Sequence, residues 1–225
     1  MEMSVEILKM LDMKAWDINE RVEFVEDDVY RKIRSTQSPI LFYTTHLFNW
    51  EWMCAGTQLN VFPSYPVYKP LKNKAFDHYI YTVRSRFGAI PVKKDEIFAV
   101  ARKLNGLAGI GLLADQSPSE RNKGKIWAHF MGEETAFYKG VMVLPYLTQF
   151  PCYFAKVYRK ERGYYEVKFH EMSSPPYNKS ELQIFREYIE LSEKVIRAHP
   201  EDWLWTHNRW KYQRKENEEI IIFPS

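Results

Sequence analysis

Residues 39–51 read Pro-Ile-Leu-Phe-Tyr-Thr-Thr-His-Leu-Phe-Asn-Trp-Glu. The first seven are apolar, β-branched or aromatic with no polar alternation, the pattern of a strand buried on both faces. His46 ends that run, and residues 49–58 have the composition of a helix. A buried strand feeding a helix is the repeating unit of α/β folds, and the flanking sequence repeats it. Residues 109–114 (Gly-Ile-Gly-Leu-Leu-Ala) form a second apolar run that ends at Asp115. Between the two, residues 73–87 predict a helix. Asn73 caps it, Phe76, Tyr79, Ile80 and Val83 make one apolar stripe, and Gly88 closes it. A short strand (89–92) and a helix (95–104) follow. Residues 152–158 and 164–169 predict a hairpin around the charged turn 159–163. Residues 180–198 predict a long amphipathic helix, with Leu182, Phe185, Tyr188, Ile189, Ser192, Val195 and Ile196 on one face. Helical spacing also marks residues 4–10 and 27–33. Residues 117–125 read as a polar loop, and 138–149 as a helix that Pro145 should kink or end. The expected fold is a single α/β domain spanning 1–225, a mixed sheet flanked by helices behind a helical lead-in (1–38).

Composition narrows what such a domain does. Of 225 residues, 45 % are hydrophobic and 27 % charged, which excludes a disordered chain. The net charge of +3 is too small to call for a nucleic-acid partner. No apolar stretch approaches the ~20 residues of a membrane helix, and no signal-peptide pattern follows Met1. Cys54 and Cys152 are far apart, so neither a disulfide framework nor a cysteine zinc site is expected, and a reducing compartment fits. The supply of 7 Trp, 15 Tyr and 14 Phe suits a large core together with an apolar ligand or a lipid interface.

Most catalytic motifs are missing or misplaced. Gly109-x-Gly111-x-x-Ala114 matches a dinucleotide fingerprint, but its glycines lie inside a strand rather than in a turn opening a helix. There is no G-x-S-x-G, Walker A or H-E-x-x-H. His78, His129, His170, His199 and His207 lack ligand spacing, so no metal is assigned. Cys54, one turn past Glu51, is a conceivable nucleophile.

His46 and Glu51 remain. Two residues five apart on one helix point about 140° apart and cannot touch. With His46 at a strand end and Glu51 in the next helix's first turn, the chain reverses and they can. A carboxylate on one imidazole nitrogen fixes the tautomer, and the other nitrogen can take a proton from a hydroxyl. The pair also admits a plainer reading, a buried histidine satisfied by a carbonyl and a first-turn acid favoured by the helix dipole.

The rest of the chain bears on that choice. His46-x-x-Asn49-Trp50-Glu51 resembles the histidine–acid motif of glycerolipid-type acyltransferases, and Trp50 after Asn49 resembles the lipid A late acyltransferases (lauroyl/myristoyl transferases). Further blocks follow in the family's order: Tyr68-Lys69-Pro70-Leu71-Lys72-Asn73 with Arg84-Ser85-Arg86-Phe87-Gly88; Ala114-Asp115-Gln116-Ser117-Pro118; Phe130-Met131-Gly132 with Thr135 and Gly140; and Trp203-Leu204-Trp205-Thr206-His207-Asn208-Arg209-Trp210-Lys211. These place the family region at 39–211.

The resemblance implies a glycerolipid acyltransferase-like fold and no cofactor. It implies direct transfer of a fatty acyl group from a thioester, on acyl carrier protein or coenzyme A, to a hydroxyl of a lipid A precursor. His46 would be the general base and Glu51 its orienting partner. Arg84 would be a charged group near the oxyanion or an acceptor phosphate, or else a surface arginine. Asp115 would be functional, a support of the His46 loop, or a turn residue. Asn49, Trp50, Arg86, Gln116, Arg209 and Lys211 would meet substrate, although the basic end that holds Arg209 and Lys211 also reads as a solvated tail. Trp203, Trp205 and Trp210 read as packing. Two departures stand out. Phe48 replaces the family's usual glycine, and the family's N-terminal membrane anchor is not seen, so contact with the cytoplasmic face of the bacterial inner membrane is expected to be peripheral. Another lipid acceptor (phosphoglycolipid, lysophospholipid or aminolipid) and a non-catalytic lipid- or carrier-binding module are the alternatives.

Overall fold

The computed structural model describes residues 2–118, 124–178 and 182–223. In chain order the elements are α1 (Glu2–Lys9), α2 (Ala15–Arg21), β1 (Val22–Phe24), α3 (Asp28–Ser35), β2 (Ile40–Thr44), α4 (Trp50–Asn60), β3 (Ser64–Tyr68), α5 (Lys74–Ser85) and β4 (Val92–Lys93). They continue with α6 (Ile97–Ala101), β5 (Gly109–Leu113), β6 (Lys125–Phe130), β7 (Glu133–Tyr138), α7 (Lys139–Thr148), β8 (Cys152–Glu161), β9 (Tyr164–Glu171), α8 (Gln183–Ala198) and β10 (Ile220–Ile221).

Seven strands form the main sheet in the order β1-β9-β8-β2-β5-β3-β4. Every neighbouring pair is parallel except the β8–β9 hairpin, so the sheet is mixed, as expected. β2 lies at its centre, and all five of its residues are buried. Ile40 and Phe42 enter one core with residues of α2, α3 and α4; Leu41 and Tyr43 enter another with α6, α7 and α8. That two-sided burial is why β2 shows no polar alternation in sequence.

β5 pairs with β2 along its whole length, and its glycines serve that packing. A Cβ on Gly109 would stand 2.1 Å from the Phe62 ring, and one on Gly111 2.6 Å from the Phe42 ring. They make room for aromatic neighbours in the core and take no part in a phosphate turn.

Several elements differ from the expectation. β3 carries no strand pattern in the sequence because Pro66 interrupts it. Pro66 sits where β4 has not yet begun: β4 pairs only with Val67 and Tyr68, so no ladder donor is missed on that side. The β6–β7 hairpin also has no clear sequence signal. Its turn places Met131 and Gly132 at positive φ, and with β10 it makes a separate three-stranded sheet. Pro145 does not end α7, which continues to Thr148 and closes at Gln149 in the left-handed region. The predicted loop at 117–125 and the predicted start of the last helix at 180 fall partly on 119–123 and 179–181, outside the described residues.

Candidate active site

The β2–β5 register builds the site. Thr44 pairs with Leu113 at the carboxyl ends of the two strands. Two residues further along each chain stand His46 and Asp115, so parallel pairing alone brings them side by side across the ~4.8 Å strand spacing. Carboxyl ends of central parallel strands are where open α/β sheets place their functional groups.

Asp115 is buried and accepts three hydrogen bonds. His46 Nδ1 lies 2.6 Å from Oδ1, while Oδ2 accepts the His46 backbone N–H (2.9 Å) and Trp203 Nε1–H (2.8 Å). Burial opposes its charge, but the His46 imidazole and these three donors outweigh it and bring its pKa down to about 2. The His46 side chain is 13 % exposed, and no described residue bonds Nε2. The Trp50 ring packs edge-on against the imidazole, 4.7 Å between centroids.

The carboxylate expected to orient His46 was that of Glu51, and the structure corrects this. Glu51 is the second residue of α4, buried, and turned to Arg84 at the far end of α5. Arg84 donates from Nε to both Glu51 oxygens (3.2 and 2.9 Å) and from Nη2 to Oε1 (2.6 Å); Trp50 Nε1 adds a bond at 3.1 Å. Burial works to raise the Glu51 pKa, but the guanidinium prevails and the net shift is downward. Sequence proximity suggested Glu51 as the partner; the register chose Asp115, which is 69 residues away.

The C-terminal segment, whose tryptophans read in sequence as packing and whose basic residues read as substrate contacts or a solvated tail, closes around this pair. Leu47 and Trp203 form an antiparallel bridge. Leu204 N–H donates to His46 O (3.0 Å) and Phe48 N–H to Asp202 O (3.3 Å). His207 Nε2 accepts the Ser117 N–H at 2.9 Å, and the Ser117 hydroxyl donates to Arg209 O. His207 must be unprotonated at Nε2 for that bond, and burial followed by the cations of Lys211 and Arg209 lowers its pKa. Trp203 thus holds the Asp115 carboxylate and His207 the backbone two residues beyond it, roles that the sequence reading of Trp203 as packing and of His207 as an isolated histidine missed.

Other sequence candidates fall elsewhere. Asn49 is fully buried and structural, not a substrate contact. Its Oδ1 caps α4 at Trp52 N–H (3.0 Å), and its Nδ2 donates to Glu6 (2.7 Å), a buried α1 carboxylate that also accepts from Tyr165. Arg209 is corrected likewise. It lies in the core, donating to Ala136 O (2.8 Å), with its guanidinium 4.5 Å from the Phe137 ring centroid, and burial brings its pKa down to about 10. Arg86 donates to Met13 O (2.9 Å), tying the turn after α1 to the end of α5. Gln116 is half-buried beside Asp115, and Lys211 is exposed. Phe48, in the family's glycine position, is half-buried between the Tyr165 ring and the Arg159 guanidinium. Cys54 is buried, and burial pushes its thiol up to about 12, which favours the protonated thiol over the thiolate. Among the described residues His199, Glu201 and Asp202 bring ligand atoms within 4.8 Å of one another, and Arg159 already pairs with Asp202 at 2.8 Å.

The arrangement is an imidazole held by a carboxylate at a strand end, beside a buried ion pair. The family model for bacterial lipid A biosynthesis acyltransferases matches residues 2–212. The chain belongs to that family. It is an O-acyltransferase that acts on a lipid. Among the described residues of this acyltransferase, no helix is long and apolar enough to cross a membrane. Among solved structures it is similar to the 1-acyl-sn-glycerophosphate acyltransferase PlsC from Thermotoga maritima. The identity is 14 % and the TM-score 0.46, over 86 % of this chain and 78 % of that one. None of the curated proteins matches the acyltransferase's sequence.

Proposed function

We propose that the enzyme transfers a fatty acyl group from an acyl carrier protein thioester to a hydroxyl of a lipid A precursor, with His46 as general base. The observation that carries the reading is the bond from His46 Nδ1 to Asp115, which leaves Nε2 as the proton-accepting nitrogen. His46 Nε2 takes the acceptor hydroxyl proton as the oxygen attacks the thioester carbon. The tetrahedral oxyanion then collapses, the C–S bond breaks, and the leaving thiolate takes the proton back from Nε2. Products are the new ester and the free thiol, with the enzyme unchanged. Asp115 stays ionised throughout and stabilises the transient imidazolium. Arg84 uses Nε and one Nη2 hydrogen on Glu51, so its two Nη1 hydrogens and the second on Nη2 can meet an anionic oxygen, the oxyanion or an acceptor phosphate. The proposed location is the cytoplasmic face of the bacterial inner membrane, with peripheral attachment.

The test is acyl transfer in detergent micelles, with labelled acyl carrier protein as donor and a tetra-acylated lipid A precursor as acceptor. The parent should transfer, and His46→Ala should lose more than about a hundredfold. Equal transfer by the variant would overturn the mechanism. Transfer from the same donor only to a phosphoglycolipid, lysophospholipid or aminolipid would overturn the acceptor assignment and leave the chemistry standing.

A further inference from the structure

α5 is only loosely part of the core. Of its twelve residues only Val83, near the site end, is buried. Its apolar stripe continues toward the N-terminus, but there the protein falls away. Phe76 is 53 % exposed, Ile80 is half-buried, and Leu71 in the preceding loop is 40 % exposed. The loop is held to the helix. Asn73 Oδ1 accepts from Ala75 and Phe76 N–H (3.0 and 3.1 Å), and Asp77 accepts the Leu71 N–H at 2.7 Å. Lys69, Lys72 and Lys74 stand on the same short stretch, all exposed. None forms an ion pair or hydrogen bond among the described residues. The neighbouring Lys93 and Lys94, by contrast, are paired with Glu96 and Asp95.

We propose that the loop–helix segment 69–80 is the surface by which the enzyme docks on an anionic lipid bilayer, Leu71, Phe76 and Ile80 entering the interface and the three lysines meeting lipid phosphates. This rests on the peripheral attachment proposed above and names the part of the molecule that makes it. Three uncompensated cations select a negatively charged partner, and the protruding apolar side chains between them select one that also offers an apolar interior. An acidic surface that offers no apolar side chains would satisfy the lysines and leave Phe76 in water. The helix is about 18 Å long and carries Arg84 at its other end, so one rigid element joins the lipid surface to the site.

The experiment uses the full chain with vesicles of phosphatidylcholine alone or mixed with phosphatidylglycerol. Sedimentation should show binding to the anionic vesicles. Each lysine-to-glutamine change should weaken it about fivefold, and the triple variant on the order of a hundredfold. Phe76→Cys carrying a polarity-sensitive fluorophore should shift to the blue on binding; the native cysteines are both buried and do not compete for the label. These side chains are exposed, so thermal melts should be unchanged. If the chain binds anionic vesicles, the triple variant binds equally well and the probe does not shift, this surface is overturned and peripheral attachment stands. If the parent binds neither vesicle, peripheral attachment itself fails. Two further results would assign the surface elsewhere: a doubled mass in solution that Phe76→Ser abolishes, or loss of carrier-protein capture by the lysine variants with vesicle binding intact.

Discussion

Asp115→Asn preserves the shape of the carboxylate and changes which donors it can face. In the parent, Oδ2 accepts two N–H groups, from the His46 backbone and Trp203, while Oδ1 meets only the His46 ring. The single oxygen of asparagine should therefore take the Oδ2 position, where two donors await it. Its amide NH2 then occupies the Oδ1 position and donates to His46 Nδ1. That fixes the imidazole as the Nε2–H tautomer, with no lone pair left for the acceptor hydroxyl. Two of the three hydrogen bonds survive and the third is reversed and loses its charge, so stability should fall by only about 1–2 kcal/mol. Transfer should fall by about 10³–10⁴, roughly 4–5.5 kcal/mol of barrier. The assay is thiol release from acyl carrier protein in the presence of acceptor, read as kcat/KM, beside a urea melt of the same preparation. Activity within tenfold of the parent in a normally folded variant would refute the claim that Asp115 sets the His46 tautomer.

Other perturbations probe the surroundings. Arg84→Met strands the buried Glu51 carboxylate and should cost about 3 kcal/mol in urea melts, whereas Glu51→Leu/Arg84→Met should recover most of that stability and none of the activity. The folded pKa of Asp115 lies below that of an unfolded aspartate, so its contribution is complete above pH ~4 and is lost as pH falls through about 2. Urea midpoints across that window should report a loss of about 2–3 kcal/mol that the Asp115→Asn variant lacks. His207→Phe removes the acceptor of the Ser117 N–H and should cost about 1–3 kcal/mol, with lower kcat and little change in KM, read from paired melts and kinetics. Gly109→Ala drives a methyl into the Phe62 ring and should destabilise by about 1–3 kcal/mol, relieved by Phe62→Leu in the same chain; equal melts for the two would contradict the packing account.

Elements whose identity depends on local pattern could be read from the sequence. β2 and β5 announced themselves as unbroken apolar runs, and the β8–β9 hairpin and α8 by their periodicity. β3 hid behind Pro66, which is harmless only because β4 starts one residue later. The β6–β7 turn uses Met131 at positive φ, a residue with no turn signature. In the site, His46 stood out because it ends a strand. Asp115 stood out for the same reason, but its pairing with His46 did not, because the pairing follows from a parallel register across 69 residues, and a single sequence carries no trace of which strands lie side by side. Asn49 and Arg209 look like solvent-facing polar residues until the core around them is known.

On the proposed mechanism, the β2–β5 register also makes catalysis a witness to folding. Neither His46 nor Asp115 belongs to a local motif that could assemble early. They meet only after a parallel ladder closes a loop of about seventy residues, a kind of contact that forms slowly. A slip of one residue would turn every β2 side chain to the opposite face and part the imidazole from its carboxylate. A refolding chain can thus regain its helices, and even its compactness, while remaining chemically silent. Returning acyl transfer counts only those molecules whose central strands have found their correct alignment.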